Sequence, residues 1–355
     1  MPGVAPLSPK STSAEHGTVA SFFAGIGGFD LGFEAAGFRT VFQSEIDPYC
    51  NVILEQEWPH IARNKDIKEL SVDDIPRADI WCAGFPCQDV SLARARPRDG
   101  LRGARSGLFY DFAALLGDAR PGTVILENVP GLLNSHEGRD FGIVIQTLVE
   151  LGYGVAWRIL NSKHFGVPQS RRRVYIVGCY NDPGRAAQIL FEPERGEGHL
   201  EKGRKSESST LSPFMERAEP SGRLRNHRSH KQLIGSSAEI FVPKLSFCIS
   251  ATTGRHTGTD WSRTYVAYHD RVRRLVPAEV EGLQGFPDGW TVPKGTSVGE
   301  DLDSRRYHAL GNAVSVPVIT WLAERVKATA TLSNLYPGAI AQSSAPDSAL
   351  KALSA

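Results

Sequence analysis

The chain has 355 residues, 41% hydrophobic and 22% charged, which suits a soluble protein whose core needs no covalent staples and excludes fibrous or wholly disordered classes. Forty basic residues against thirty-nine acidic ones leave a net charge of +1, so a nucleic-acid partner has to be announced by local clusters and not by the total. Five cysteines (Cys50, Cys82, Cys87, Cys179 and Cys248) form neither a disulfide framework nor zinc spacing, and fit a reducing cytoplasm. Met1 to His16 is rich in Pro, Ser and Ala without an apolar centre and predicts a loose tail over 1–16, not a signal peptide. No run is long enough to cross a membrane.

Thr18 to Phe23 is an apolar run leading into Gly25-Ile26-Gly27-Gly28, after which Leu31, Phe33, Ala35 and Ala36 predict a helix that stops near Gly37. Strand, glycine turn and helix bring backbone N–H groups against a cofactor. A dinucleotide fingerprint would need a third glycine where Asp30 stands. Thr40 to Ser44 is the second run, and Glu45 ends it roughly 20 residues after the glycines, where α/β nucleotide sites place an acid for the ribose hydroxyls.

Asp79-Ile80-Trp81-Cys82 is a further run, followed by the stiff turn Ala83-Gly84-Phe85-Pro86-Cys87-Gln88. Such a turn presents its next side chain at the carboxyl edge of a sheet, where open α/β folds put their chemistry. Cys87 is therefore a candidate nucleophile, weighed against the commoner fate of a free cysteine as a small buried apolar residue. Between Cys87 and Phe109 stand Arg94, Arg96, Arg98, Arg102 and Arg105, interleaved with Gly100, Gly103 and Gly107. They suit phosphate contacts and a lid, or else a solvated charge run. Ser106 to Leu116 reads as a helix.

Thr123 to Leu126 leads into Glu127-Asn128-Val129-Pro130, so an acid could end a neighbouring strand and face the thiol. Gly138 to Leu151 has helical spacing, and Val155 to Leu160 and Val174 to Tyr180 alternate like strands, the last preceded by Gln169-Ser170-Arg171-Arg172-Arg173. From Asn181 to about Tyr265 the pattern turns polar and basic, with Arg223, Arg225, His227, Arg228 and His230; composition alone allows a disordered linker. Pro277 opens a helix closed by Leu283 to Pro287, Tyr307 to Val318 leads into a helix through Ala328, and the chain after Leu332 reads as a tail.

Six stretches, in order over residues 18 to 325, resemble the signatures of the DNA (cytosine-5)-methyltransferase family: Phe22-Phe23-Ala24-Gly25-Ile26-Gly27-Gly28-Phe29, Phe85-Pro86-Cys87-Gln88, Glu127-Asn128-Val129, Gln169-Ser170-Arg171-Arg172-Arg173, Leu283-Gln284-Gly285-Phe286-Pro287 and Gly311-Asn312-Ala313-Val314. The resemblance implies an α/β fold with a doubly wound, mostly parallel sheet and a smaller, irregular target-recognition domain. Its implied boundaries are a catalytic and cofactor-binding domain at 17–180, recognition at 181–265, a hinge and return at 266–330 and a tail at 331–355.

It implies S-adenosyl-L-methionine as cofactor, held by Phe23, Ala24, Gly25, Ile26, Gly27, Gly28, Glu45, Ile46, Asp66, Ile67, Pro86, Leu108, Asn312 and Ala313. Lys65 stands where the family has a glycine before its adenine-contacting pair Asp66-Ile67. The implied catalytic set is Cys87, Glu127, Arg171 and Arg173, with Gln88, Ser91, the five lid arginines and Thr252, Thr253, Gly254 and Arg255 on the DNA. No metal is implied. Double-stranded DNA is the expected partner of a cytoplasmic, nucleoid-associated monomer, and a cognate restriction endonuclease encoded nearby a further one. A transfer RNA cytosine-5 methyltransferase and a DNA-binding homologue without catalysis remain open, an oxidoreductase being disfavoured by Asp30 and the thiol.

Overall fold

The computed structural model describes residues 16–86, 107–192, 244–251, 264–267, 272–296 and 299–335. Its strands are β1 (Thr18–Phe22), β2 (Arg39–Ser44), β3 (Ala62–Asn64), β4 (Ile80–Ala83), β5 (Thr123–Asn128), β6 (Tyr153–Asn161) and β7 (Arg172–Tyr180), with β8 (Tyr265–Ala267) and β9 (Val272–Arg274) pairing apart from them. The helices are α1 (Gly28–Ala35), α2 (Pro48–Glu57), α3 (Leu108–Ala119), α4 (Arg139–Glu150), α5 (Pro183–Leu190), α6 (Pro277–Gln284), α7 (Glu300–Asn312) and α8 (Val316–Leu335).

The 7-stranded sheet runs β3-β2-β1-β4-β5-β7-β6. Its first five members are parallel, while β7 lies antiparallel between β5 and β6. The central strands β1, β4 and β5 are buried on both faces, which is why they read as largely apolar runs. Ala20, Phe22, Trp81, Ala83, Val124 and Leu126 face a cluster that includes Phe109, Phe112 and Leu116 of α3 and Val144 and Leu148 of α4. The alternate residues Val19, Ile80, Cys82 and Ile125 face Phe29 and Phe33 of α1 and Val318, Ile319 and Leu322 of α8. A third cluster joins Ile26, Ile53, Leu54 and Trp58 to Leu283, Phe286, Trp290 and Leu310 from the far end of the chain.

The doubly wound, mostly parallel sheet is as expected, and three boundaries shift. Helix α5 lies beyond residue 180, where recognition was to begin, yet Ala186, Ile189 and Leu190 are buried in the α1/α8 cluster. Asp182 starts it by accepting from the Arg185 N–H, with Pro183 at the first helical position. The Gly311-Asn312 pair ends the regular helix α7 instead of lying in an approach to α8. Helix α8 runs to Leu335, past the expected start of the tail.

Gly154 of β6 is pressed against α5, since a Cβ there would stand 2.2 Å from Pro183 Cα. Gly154→Ala must displace backbone and should destabilise the chain by about 1–3 kcal/mol in urea unfolding; an unmoved midpoint would detach α5 from the sheet.

Candidate active site

In register, the strand ends Phe22, Ser44 and Ala83 lie side by side with Leu126, two residues before the end of β5, so the segments that follow them share one edge of the sheet. Strand β5 is buried throughout, and its last two residues are the polar Glu127 and Asn128. The Glu127 carboxylate forms an ion pair at 3.0 Å with Arg173 Nε of β7. Burial lifts this carboxyl above its ordinary value, while the charge of Arg173, and behind it that of Arg171, pulls it down. Asn128 Nδ2 donates to Phe85 O at 2.8 Å, anchoring the turn after β4. A Cβ on Gly84 would stand 3.7 Å from Glu127 Oε2, so the acid borders the turn that leads through the exposed Pro86 to position 87. Cys87 itself lies outside the described residues, as do Gln88, Ser91, Arg94, Arg96, Arg98, Arg102, Arg105, Thr252, Thr253, Gly254, Arg255 and most of 181–265.

The glycine turn follows β1. Phe23 (φ 52°), Gly25 (φ 56°) and Gly27 (φ 81°) are left-handed there, and Phe23 thereby ends the strand one residue before the apolar run does. A Cβ at Gly27 would meet Trp58 Cζ3 at 2.3 Å and one at Gly28 would meet Val314 Cγ2 at 2.7 Å, whereas Gly25 faces open space. Two of the glycines expected at the cofactor are thus pressed against protein. Glu45 Oε2 accepts from the Gly25 N–H at 2.7 Å, and Oε1 from the Asp47 N–H at 2.8 Å. Burial lifts its carboxyl, and those two N–H groups oppose the shift.

Next to Glu45, Ile46 is 65% exposed. Asp66 accepts from the Lys68 N–H at 3.0 Å, Ile67 is buried beside Phe85, and Phe23 and Leu108 pack against the same cluster. Ala24, Ile26 and Ala313 share another cluster, and the exposed Asn312 places Nδ2 3.3 Å from His308 Nε2.

Arg171 differs from expectation. It was to border the base with Arg173, but its Nη1 donates to Ile249 O at 2.9 Å and its Nη2 to Gly311 O at 3.1 Å and Ala313 O at 2.7 Å. The guanidinium is 3% exposed, and backbone carbonyls take both of its Nη groups while its Nε is left without a partner. Gln169, quoted only as part of a motif, is fully buried and reaches Leu283 O at 2.9 Å. Among the described residues, no group of three or more His, Cys, Asp or Glu side chains could hold a metal ion.

The architecture is that of the S-adenosylmethionine-dependent methyltransferases. The crystal structure of S. pombe Dnmt2 methyltransferase matches with a TM-score of 0.65 and 20% identity over 90% of this chain and 99% of that one. A putative DNA modification methyltransferase encoded within an E. coli prophage matches with a TM-score of 0.58 and 17% identity over 88% and 99%. The family described as C-5 cytosine-specific DNA methylase matches residues 17–328, and the chain belongs to that family. Type II methyltransferase M.DsaV of Dactylococcopsis salina is 32% identical over 310 residues, 86% of this chain and 84% of that protein. Type II methyltransferase M.HpaII of Haemophilus parainfluenzae is 31% identical over 345 residues, 91% and 92% of the two. The protein is an enzyme, a DNA (cytosine-5-)-methyltransferase with S-adenosyl-L-methionine as methyl donor and DNA as substrate.

Behind the glycine turn, Asp30 in the first turn of α1 is fully buried, where a dinucleotide fingerprint would have glycine. Burial raises its pKa from 3.8 to about 7; Gln43 and Ser21 beside it oppose the shift and Glu34 adds to it. Because the folded value lies above the unfolded one, this contribution to stability is full below the ordinary aspartate range and is lost as pH rises through about 7. Between about pH 5 and pH 8, the native chain should lose about 3 kcal/mol relative to Asp30→Asn in paired urea titrations. Parallel profiles would refute the shift.

Proposed function

We propose that the enzyme methylates carbon 5 of a cytosine rotated out of duplex DNA, through a covalent bond between Cys87 and carbon 6 of that base. The observation that carries this reading is the buried Glu127–Arg173 pair at the turn that leads to Cys87. Carbon 5 sits in an electron-poor ring and is a weak nucleophile. Addition of the Cys87 thiolate at carbon 6 makes carbon 5 enamine-like and pushes negative charge toward N3 and O2. Glu127, its carboxyl lifted by burial, donates a proton or hydrogen bond to N3, and Arg173 donates to O2. Arg173, in this reading of the site, would also favour the Cys87 thiolate. Loss of the carbon 5 proton, to a base that water can supply, and expulsion of Cys87 restore the ring.

S-adenosyl-L-methionine, when bound, supplies an electrophilic sulfonium methyl. The structure fits it at the glycine turn: Gly25 leaves open the space a side chain would fill. Each Glu45 oxygen keeps a lone pair for a ribose hydroxyl, and Ile46 offers an exposed apolar face alongside. Phe23 to Ile26 would line the pocket, with Asp66 and Ile67 toward the adenine and Pro86, Leu108, Asn312 and Ala313 completing it.

Residues 181–265, apart from α5, would read the DNA sequence, and Arg94 to Arg105 would close over the substrate strand. The names of the Type II relatives support a modification role opposite a restriction endonuclease. Methyl transfer to duplex DNA and to transfer RNA, assayed side by side, tests the substrate. Transfer to DNA is expected, and transfer to RNA alone would overturn it. Cys87→Ser should lower turnover at least roughly a thousandfold while still binding S-adenosylhomocysteine; retained turnover would exclude the covalent route. Glu45→Ala should raise the S-adenosylhomocysteine dissociation constant about ten- to a hundredfold, and an unchanged value would remove Glu45 from the ribose.

A further inference from the structure

The segment before β7 turns Gln169 and Arg171 into a junction of three distant stretches of chain. Arg171 donates to Ile249 O, to Gly311 O and to Ala313 O, at 2.9, 3.1 and 2.7 Å. Gln169 Oε1 accepts from the Ile249 N–H at 3.1 Å, and its Nε2 donates to Leu283 O at 2.9 Å. Ser170 N–H donates to Ser246 O at 2.8 Å, and Ser246 N–H to Pro168 O at 2.7 Å. Gln284 closes the ring by donating from Nε2 to Leu310 O at 2.8 Å. Where the backbones meet they touch, since a Cβ on Gly311 would stand 2.1 Å from Ala251 N.

Two of the carbonyls held by Arg171 flank Asn312, and the third lies in 246–251, the stretch that leads into 252–263. Two residues further along the chain, Arg173 holds Glu127. We propose that Arg171 is a positioning residue that couples the cofactor pocket to the DNA cleft, by fastening the backbone on both sides of Asn312 and the carbonyl of Ile249 to the strand that carries Arg173. This rests on the methyltransferase reading of both sites. Any displacement of 311–313 carries two of the three acceptors with it. Arg171 Nε already has no partner, so losing a carbonyl from either Nη would leave the buried guanidinium shorter still, and Ile249 and the start of β7 are drawn along. The planar fork serves three carbonyls at fixed angles, which a lysine ammonium at the same place does not.

Coupling of this kind is reciprocal, and a binding cycle measures it. Dissociation constants would be taken for S-adenosylhomocysteine with and without duplex DNA bearing the methylated sequence, and for that DNA with and without S-adenosylhomocysteine. In the native chain each ligand should tighten the other by the same factor, roughly tenfold. In Arg171→Lys both should still bind alone, with the factor below about twofold. A role confined to stability would lower the melting temperature and leave the factor in place, and that result overturns the proposal. So does a native chain with no coupling. If Arg171→Lys does not fold, hydrogen exchange of the native chain decides: S-adenosylhomocysteine should slow the amides of 246–249, and unchanged exchange there refutes the coupling. A chain that binds no S-adenosylhomocysteine and transfers no methyl group would instead refute the functional reading itself.

Discussion

A carboxyl group carried into a protein interior needs a counter-charge or a proton, and the Arg173 guanidinium 3.0 Å from Glu127 opposes the upward push of burial where β5 ends in an acid under cover. That pairing depends on the direction of one strand. Because β7 runs antiparallel to β5, its first residues meet the last of β5: Asn128 pairs with Val174 and Glu127 with Tyr175. Were β7 parallel, the arginines before it would emerge at the opposite edge of the sheet, away from the glycine turn and from the turn after β4. Reversal of a single strand therefore adds a cationic wall to an edge that parallel strands alone leave to turns and helix starts.

The central strands β1, β4 and β5 were legible because both of their faces are covered, so each is a largely apolar run, whereas the three residues of β3 carry no such run. Polar residues mark the ends of the β2 and β5 runs: Ser44-Glu45 and Glu127-Asn128 both stand where the runs placed them. Arg171 was not legible. Its acceptors lie 78, 140 and 142 residues away, and a carbonyl leaves no trace in the side-chain pattern. Helix α5 was hidden by its length: Ala186, Ile189 and Leu190 are a sound apolar face, but eight residues beside a polar tract do not establish a period. In α7 the buried face includes Arg306, whose Nη2 meets the fully buried Glu281 at 3.1 Å, so a hydrophobic reading counts an inward residue as outward.

The return segment carries such pairs beside its apolar packing. Glu281 accepts from Arg306 and from the N–H groups of Thr291 and Gly289, and Glu279 accepts from Arg273 at 2.8 Å. Buried ion pairs of this kind add little net stability, because desolvation offsets most of the attraction, but breaking one partner is costly. They fix one arrangement of the loops around Trp290, whose Nε1 donates to Ile26 O at 2.8 Å in the glycine turn. The far end of the chain thus forms a wall of the turn near its start.

That wall explains why the turn is rich in glycine without being a phosphate cradle. Gly27 gives way to Trp58 of the segment after α2, and Gly28 to Val314 of the segment after α7, so neither omitted side chain leaves room for a ligand. Gly25 alone faces open space, and its N–H is already committed to Glu45. A pyrophosphate needs several converging free N–H groups at a helix start. Here the position two residues into α1 holds a buried carboxyl, Asp30, which an anion at that helix start would face as a like charge whenever it ionised. A turn with one glycine facing open space and two packed on protein lacks the converging free N–H groups that a phosphate needs.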